Sequence, residues 1–225
     1  MSSASSPPVA RHYTGELGDA YFGWQADSGR VGARLEVPKF LTHTSLDADL
    51  VDFGCGGGYL LELLPARSRV GIEVNPAARQ AAQSRGLRVV ASAAELPEES
   101  ADVVISNHAL EHTMAPVSEL QGLHRLLRPG GELIVAVPID DWRVQRRPDP
   151  SDPNHHLYTW TPLLLANLLE EAGFAVSECR VITHAWPPFV EHLHRRLPPR
   201  AYDALCMTWS MLRRRRQVKA IAVRS

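Results

Sequence analysis

Asp52-x-Gly54-x-Gly56-x-Gly58 restricts the fold of this chain more than any other stretch. The three glycines follow an apolar run, Leu50 to Phe53, and precede a helical pattern with Leu60, Leu61 and Leu64. Glycine lets a backbone turn left-handed and lets a ligand approach it closely. A helix starting at such a turn aims free N–H groups at that ligand. Twenty-one residues after Asp52, a second apolar run ends in Glu73. An acid at the end of a second strand is placed to hold ribose hydroxyls. Together these features predict an α/β domain with a nucleoside-like ligand beyond the C-terminal ends of its strands. A tight turn alone explains the glycines but not their pairing with Glu73.

Periodicity extends this pattern along the chain. Strands are expected at Leu50–Phe53, Arg69–Glu73, Leu87–Ala91, Asp102–Ser106, Glu132–Pro138, Phe174–Val181 and Gln217–Val223. Helices are expected near 29–42, from Gly58 to Pro65, over Ala77–Ser84, over Ala115–Arg128 and after Thr161. Pro76 and Pro162 suit first helical positions, and Thr161 suits the cap before the latter. Arg128-Pro129-Gly130-Gly131 is a stop signal. His12 to Trp24, rich in aromatics and glycine, reads as an ordered loop or short helices, and Met1 to Ala10 as a disordered tail. Alternating strands and helices give repeated βαβ units in an α/β three-layer sandwich.

Charge and cysteines narrow the class. A net charge of -1 gives no general attraction to nucleic acid. Cys55, Cys179 and Cys206 are scattered, so neither a disulfide framework nor a cysteine zinc site is expected, and the compartment is read as cytoplasmic. No apolar run is long enough to span a membrane. The start lacks a basic region followed by an apolar one, so no signal peptide is read.

The motif set resembles the class I methyltransferases that use S-adenosylmethionine, of the small-molecule type in the ubiquinone/menaquinone-like group. The likeness covers roughly residues 45–182. It rests on the glycine motif, Gly71-Ile72-Glu73, Ala94-Glu95-Leu96-Pro97, Ala101 to Asn107, Leu127 to Gly131 and Glu171-Ala172-Gly173-Phe174. It implies a Rossmann-like, seven-stranded, mostly parallel sheet with helices on both faces and an antiparallel last strand. It also implies S-adenosyl-L-methionine as cofactor and S-adenosyl-L-homocysteine as product. The expected cofactor contacts are Asp52, Gly54, Cys55, Gly56, Gly58, Glu73, Val74, Ser92, Ala93, Glu95, Leu96 and Asn107. Many relatives have an aspartate where this chain has Ser92, with Glu95 as a substitute for the adenine contact. Leu96-Pro97 should leave no room for the second nucleotide of a dinucleotide.

Several residues are candidates for the chemistry. Asn107 to His112 follows the fourth strand, at the ligand edge of the sheet. His108 is a candidate base there; His155, His156 and Asp140 are others, because a neutral imidazole can take a proton from an attacking hydroxyl. No metal is assigned. The set that would hold one is His108, Glu111 and His112, since ubiquinone-type relatives carry Glu-x-x-Glu-His, linked there to a divalent cation. Tyr13, Tyr21, Trp24, Tyr158 and Trp186 are candidate acceptor contacts. Residues 1–44 are read as a tail and cofactor-covering segment. Residues 45–225 are read as the methyltransferase domain, with a lid or substrate-binding insertion at 183–216.

The expected reaction is methyl transfer to a small-molecule acceptor, with oxygen preferred. The alternatives are a protein or RNA methyltransferase, or an inactive cofactor-binding scaffold. No nucleic-acid partner is expected, and monomer and homodimer both stay open.

Overall fold

A computed structural model describes residues 9–141, 143, 145–185, 193 and 196–225. Most of the expected tail, and Trp186, lie outside these residues. Seven strands form one sheet: β1 (Asp49–Phe53), β2 (Ser68–Ile72), β3 (Arg88–Val90), β4 (Ala101–Asn107), β5 (Leu127–Ile139), β6 (Phe174–Thr183) and β7 (Arg216–Arg224). Their order is β3-β2-β1-β4-β5-β7-β6, and β7 runs antiparallel to both neighbours. Order reverses between β1 and β4, which opens a crevice at their C-terminal ends.

Strand parity builds the core. Val51, Val104, Leu133 and Val135 face one side, with Leu120 and Leu123 of α4 (Pro116–Leu126) and Leu165 of α5 (Pro162–Glu171). Leu50, Val103, Ile105 and Ile134 face the other, with Ala33 of α1 (Gly15–Glu36) and Leu61 of α2 (Tyr59–Leu63). Burial on both faces explains why these strands read as continuous apolar runs. Helix α3 (Pro76–Ser84) is capped by Asn75, which accepts from the amides of Ala77 and Ala78. Helix α6 (Pro199–Leu212) precedes β7.

Helix α1 corrects the expectation of a loop or short helices before residue 29. It spans 22 residues despite five glycines. Packing overrides propensity here. A Cβ at Gly18 would lie 2.5 Å from the Tyr13 carbonyl, so glycine lets the N-terminal turn fold back on the helix. The tail expectation is corrected at its end: Ala10 is buried. No described helix is long and apolar enough to cross a membrane.

Candidate active site

The glycine turn lies at the crevice. Gly54, Gly56 and Gly58 all have positive φ. At Gly54, with φ +76°, a Cβ would come 2.3 Å from that of Ala109, so any side chain there collides with the segment after β4. The turn is tied to β2 by Gly54 and Cys55, whose amides donate to the Ile72 carbonyl. Glu73 extends this tie. Its carboxylate accepts from the amides of Gly56 and Asn75, each at 2.8 Å.

Two cavities meet at this turn. The first, about 770 Å³, is lined by Gly54, Gly56, Glu73, Val74, Tyr13 and Tyr21. The second, about 1830 Å³ and open to solvent, is lined by Asp52, Cys55, Asn107, His108, Glu111 and His156 among others. Tyr21, Gln25, Gly54, Gly56, His108 and His112 line both. The pair suits a cofactor on one side and a methyl acceptor on the other.

The residues present fit S-adenosylmethionine. The glycine turn lets a ligand approach its backbone closely, while the Gly54, Cys55, Gly56 and Gly58 amides hold the turn in shape. Glu73 is an acceptor at the wall of the first cavity, and Asp52 is a second carboxylate in the adjoining one. Asp52 is 2% exposed, and burial, then the charge of Glu73, push its pKa up to about 7. Its folded-state pKa is raised, so ionising it costs stability as pH rises from its ordinary value towards 7. Asp52→Asn should therefore raise the melting temperature of the cofactor-free protein at pH 8 and leave it nearly unchanged at pH 4. Calorimetry at both pH values checks this; equal shifts would overturn it.

Some expected contacts have other partners. The Ser92 hydroxyl accepts from the Ala94 amide, and Glu95 accepts from the amides of Ala91 and Ser92. This is a reciprocal capping box. Ala93 and Leu96 are buried in the core. None of these four, nor Gly58, lines either cavity. Tyr158 lies on an outer hollow beside Leu157 and tilts against Trp160. Trp24 lines the second cavity.

The histidines gather from three segments. His156 Nδ1 lies 2.8 Å from Asp140 Oδ2. Burial alone would lower the His156 pKa, but the Asp140 hydrogen bond and charge overcome it and raise the value above 6.5. His112 behaves oppositely: burial outweighs Glu111 and takes its pKa down to about 4, so it is neutral at pH 7. Tyr13 OH bonds to His112 Nδ1 and donates to the Asn154 carbonyl at 2.8 Å. His108 has φ +54° and places Nδ1 3.3 Å from Glu111 Oε1. Glu111 is fully buried; its Oε1 faces His108 and His112, and its Oε2 has no hydrogen-bond partner among the described residues. His155 faces away and stacks on His12 at 4.6 Å. Glu111, His112 and His156 each offer a ligand atom within 4.8 Å of the others. The compact group is thus not the anticipated His108, Glu111 and His112: His156 takes the place of His108, because the loop before α5 folds over the residues that follow β4.

Residues the sequence did not single out form the far wall. Lys39 donates to Asn107 Oδ1 at 2.6 Å and Gln217 Oε1 at 2.9 Å, and pairs with Glu36. Glu36 also lies 2.9 Å from His184 Nε2. No periodicity marks a buried lysine, so only the sheet topology reveals this group. Gln25 was equally invisible on a glycine-rich stretch.

Glycine turn, second-strand acid and an inserted antiparallel seventh strand define a class I S-adenosylmethionine-dependent methyltransferase domain. The comparisons give the family: a model described as "Methyltransferase domain" matches residues 29–178, two thirds of the chain, and the chain belongs to that family. A probable S-adenosylmethionine-dependent methyltransferase of Mycolicibacterium smegmatis is 31% identical over 155 residues, 66% of this chain and 60% of that one. A ubiquinone biosynthesis O-methyltransferase of Ruegeria pomeroyi is 38% identical over 96 residues, 36% of this chain and 38% of that one. The chain thus spans well under two thirds of the length of these relatives. Among solved structures, the putative methyltransferase bound to the Haloferax volcanii Trm112 activator superposes with a TM-score of 0.62 at 21% identity, covering 90% of this chain and 96% of that one. That likeness supports the fold.

Proposed function

We propose that this protein transfers the methyl group of S-adenosylmethionine to a hydroxyl of a small-molecule acceptor seated in the second cavity. The observation that carries this reading is the Asp140–His156 pair, 2.8 Å apart on the wall of the second cavity. S-adenosylmethionine supplies an electrophilic methyl on a sulfonium. The protein has to orient the acceptor, exclude water and take up its proton. Gly54, Gly56 and Glu73 hold the cofactor, with Asp52 and Asn107 beside them. Asp140 fixes the His156 tautomer with Nδ1–H towards the carboxylate, leaving Nε2 to accept the acceptor's proton. His108 is the second candidate base. Tyr13, Tyr21 and Trp24 cover the site from the N-terminal side. His184, Ala185, Arg215 and Arg216, from the described ends of the segment 183–216, line the acceptor chamber.

A divalent cation at Glu111, His112 and His156 is a second reading. Their proximity and the unpartnered Glu111 Oε2 favour it. In that case chelation would abolish turnover and added metal would restore it.

The test begins with binding. Calorimetric titration should give affinity for S-adenosylmethionine and S-adenosylhomocysteine and none for nicotinamide dinucleotides. Tight dinucleotide binding with no response to the methyl donor would sink the assignment. Glu73→Ala should weaken cofactor binding by about 1.5–3 kcal/mol, the scale of charge-assisted hydrogen bonds. Labelled methyl donor offered to metabolite pools, RNA and protein then identifies the acceptor. Label only in RNA or protein would replace the small-molecule reading, and label nowhere would favour an inactive scaffold.

A further inference from the structure

We propose that the acceptor carries a phosphoryl group, and that Arg215 and Arg216 form its seat on the wall of the second cavity. This rests on the reading of that cavity as the acceptor chamber. Charge matching within the chamber is the starting point. Glu36 is matched by Lys39 and His184, Asp140 by His156, and Glu111 by His108 and His112. Arg215 and Arg216 line the same chamber, and neither has an ion-pair partner among the described residues. Some arginines elsewhere are matched: Arg67 and Arg128 by Asp49 and Asp102, Arg180 by Glu178, Arg224 by Glu99.

Position separates these two arginines from the rest of their run. An arginine run at a helix end ordinarily complements the helix dipole. Arg213 follows that account and lies over the Trp209 ring at 5.3 Å. After it the chain turns sharply: Arg214 has φ +52°, and the Arg215 amide donates to the Ser210 carbonyl at 2.9 Å. Arg216 is then clamped into the sheet, opposite Ile139 on β5 and Thr183 on β6. The next residue, Gln217, is buried and held by Lys39. The pair is thus delivered to the ligand edge of the sheet by a rigid strand start, not by a wandering loop.

Chemistry selects the ligand. Two adjacent guanidiniums without a counter-ion repel each other, and a dianion relieves this better than a monocarboxylate. The planar guanidinium fork also matches phosphate oxygens in pairs. Arg146 and Arg147, with Asp149 and Asp152, line an adjoining hollow that shares Asp140, Gln145 and His156 with the chamber. Arg216 pairs with Ile139, the neighbour of Asp140, so a phosphoryl group held by the two arginines would anchor the acceptor beside the Asp140–His156 pair.

The experiment titrates the full chain, with and without S-adenosylhomocysteine, with inorganic phosphate at constant ionic strength. Parallel arms use acetate and a short single-stranded RNA. Phosphate should bind more tightly than acetate, and the Arg215→Gln/Arg216→Gln double variant should weaken it about tenfold or more. Arg180→Gln, which removes one positive charge on β6, should change nothing. Unchanged phosphate binding in the double variant would overturn the seat, as would acetate binding equal to phosphate. Phosphate that displaces S-adenosylhomocysteine would place it in the cofactor cavity and also overturn the seat. RNA bound far more tightly than phosphate, and lost in the same double variant, would reassign the surface to nucleic acid. Failure to bind S-adenosylhomocysteine would count against the cofactor assignment alone, because phosphate binding is read independently.

Discussion

His156→Gln should slow single-turnover methyl transfer by about 10²- to 10⁴-fold, the range for a lost general base, while S-adenosylhomocysteine affinity stays nearly the same. Asp140 raises the His156 pKa above 6.5, and only neutral His156 can accept a proton. The wild-type rate should therefore rise with pH through an apparent pKa above the ordinary histidine value. Asp140→Asn removes the raising charge, so the inflection should move down and the rate fall. His108→Ala is the comparison: a larger loss there, with an unmoved pH profile in His156→Gln, would transfer the role to His108. Repeating the series with chelator separates both from a metal.

Lys39→Met should destabilise the fold by about 3–5 kcal/mol, the usual cost of stranding one member of a buried ion pair. Lys39 and Glu36 are 7% and 3% exposed, so solvent screens little of the loss. Burial opposes the Glu36 charge, but Lys39, His184 and His108 together outweigh it and hold the carboxyl well below its usual range. That depressed pKa stabilises the fold above the unfolded carboxylate pKa, and the contribution disappears as pH falls through the folded value. In Lys39→Met the carboxyl can protonate, so the deficit should shrink between pH 7 and pH 4. Lys39→Met/Glu36→Gln should recover much of the stability. Urea denaturation of the three proteins decides it: a double variant no better than the single one would show that the pair is not the source.

The sequence carried the frame of the domain but not its closure. Buried strands such as Val103–Ile105 and Leu133–Val137 announce themselves as unbroken apolar runs, and the turn at Gly54 to Gly58 fixes where a ligand must lie. The antiparallel direction of β7 has no counterpart in periodicity and came through family resemblance. Helix α1 was hidden by its glycines, whose use lies in tight tertiary contacts such as Gly18 against Tyr13. Ser92-x-x-Glu95 was legible as a capping box, but its position beside the expected adenine pocket drew attention to ligand contacts. His156 was a candidate from the start; its pairing with Asp140 and its approach to Glu111 depend on where a loop crosses the sheet edge. Lys39 and Gln217, 178 positions apart, meet only because β7 inserts beside β5.

The N-terminal turn and the loop before α5 touch across the mouth of the site. Tyr13 reaches the Asn154 carbonyl and His112, and His12 Nε2 lies 3.0 Å from the Pro153 carbonyl. Tyr13 also lines the cofactor cavity, while Asn154 and His156 line the acceptor chamber. One clasp therefore spans both compartments. Under the proposed assignment of the two cavities, release of spent cofactor should disturb contacts that the acceptor loop shares. The expected result is an ordered cycle in which S-adenosylmethionine enters first, the methylated product leaves first, and clasp opening limits the departure of S-adenosylhomocysteine. Product inhibition would then be competitive towards the methyl donor, and bulk viscosity would slow steady-state turnover more than the transfer step itself.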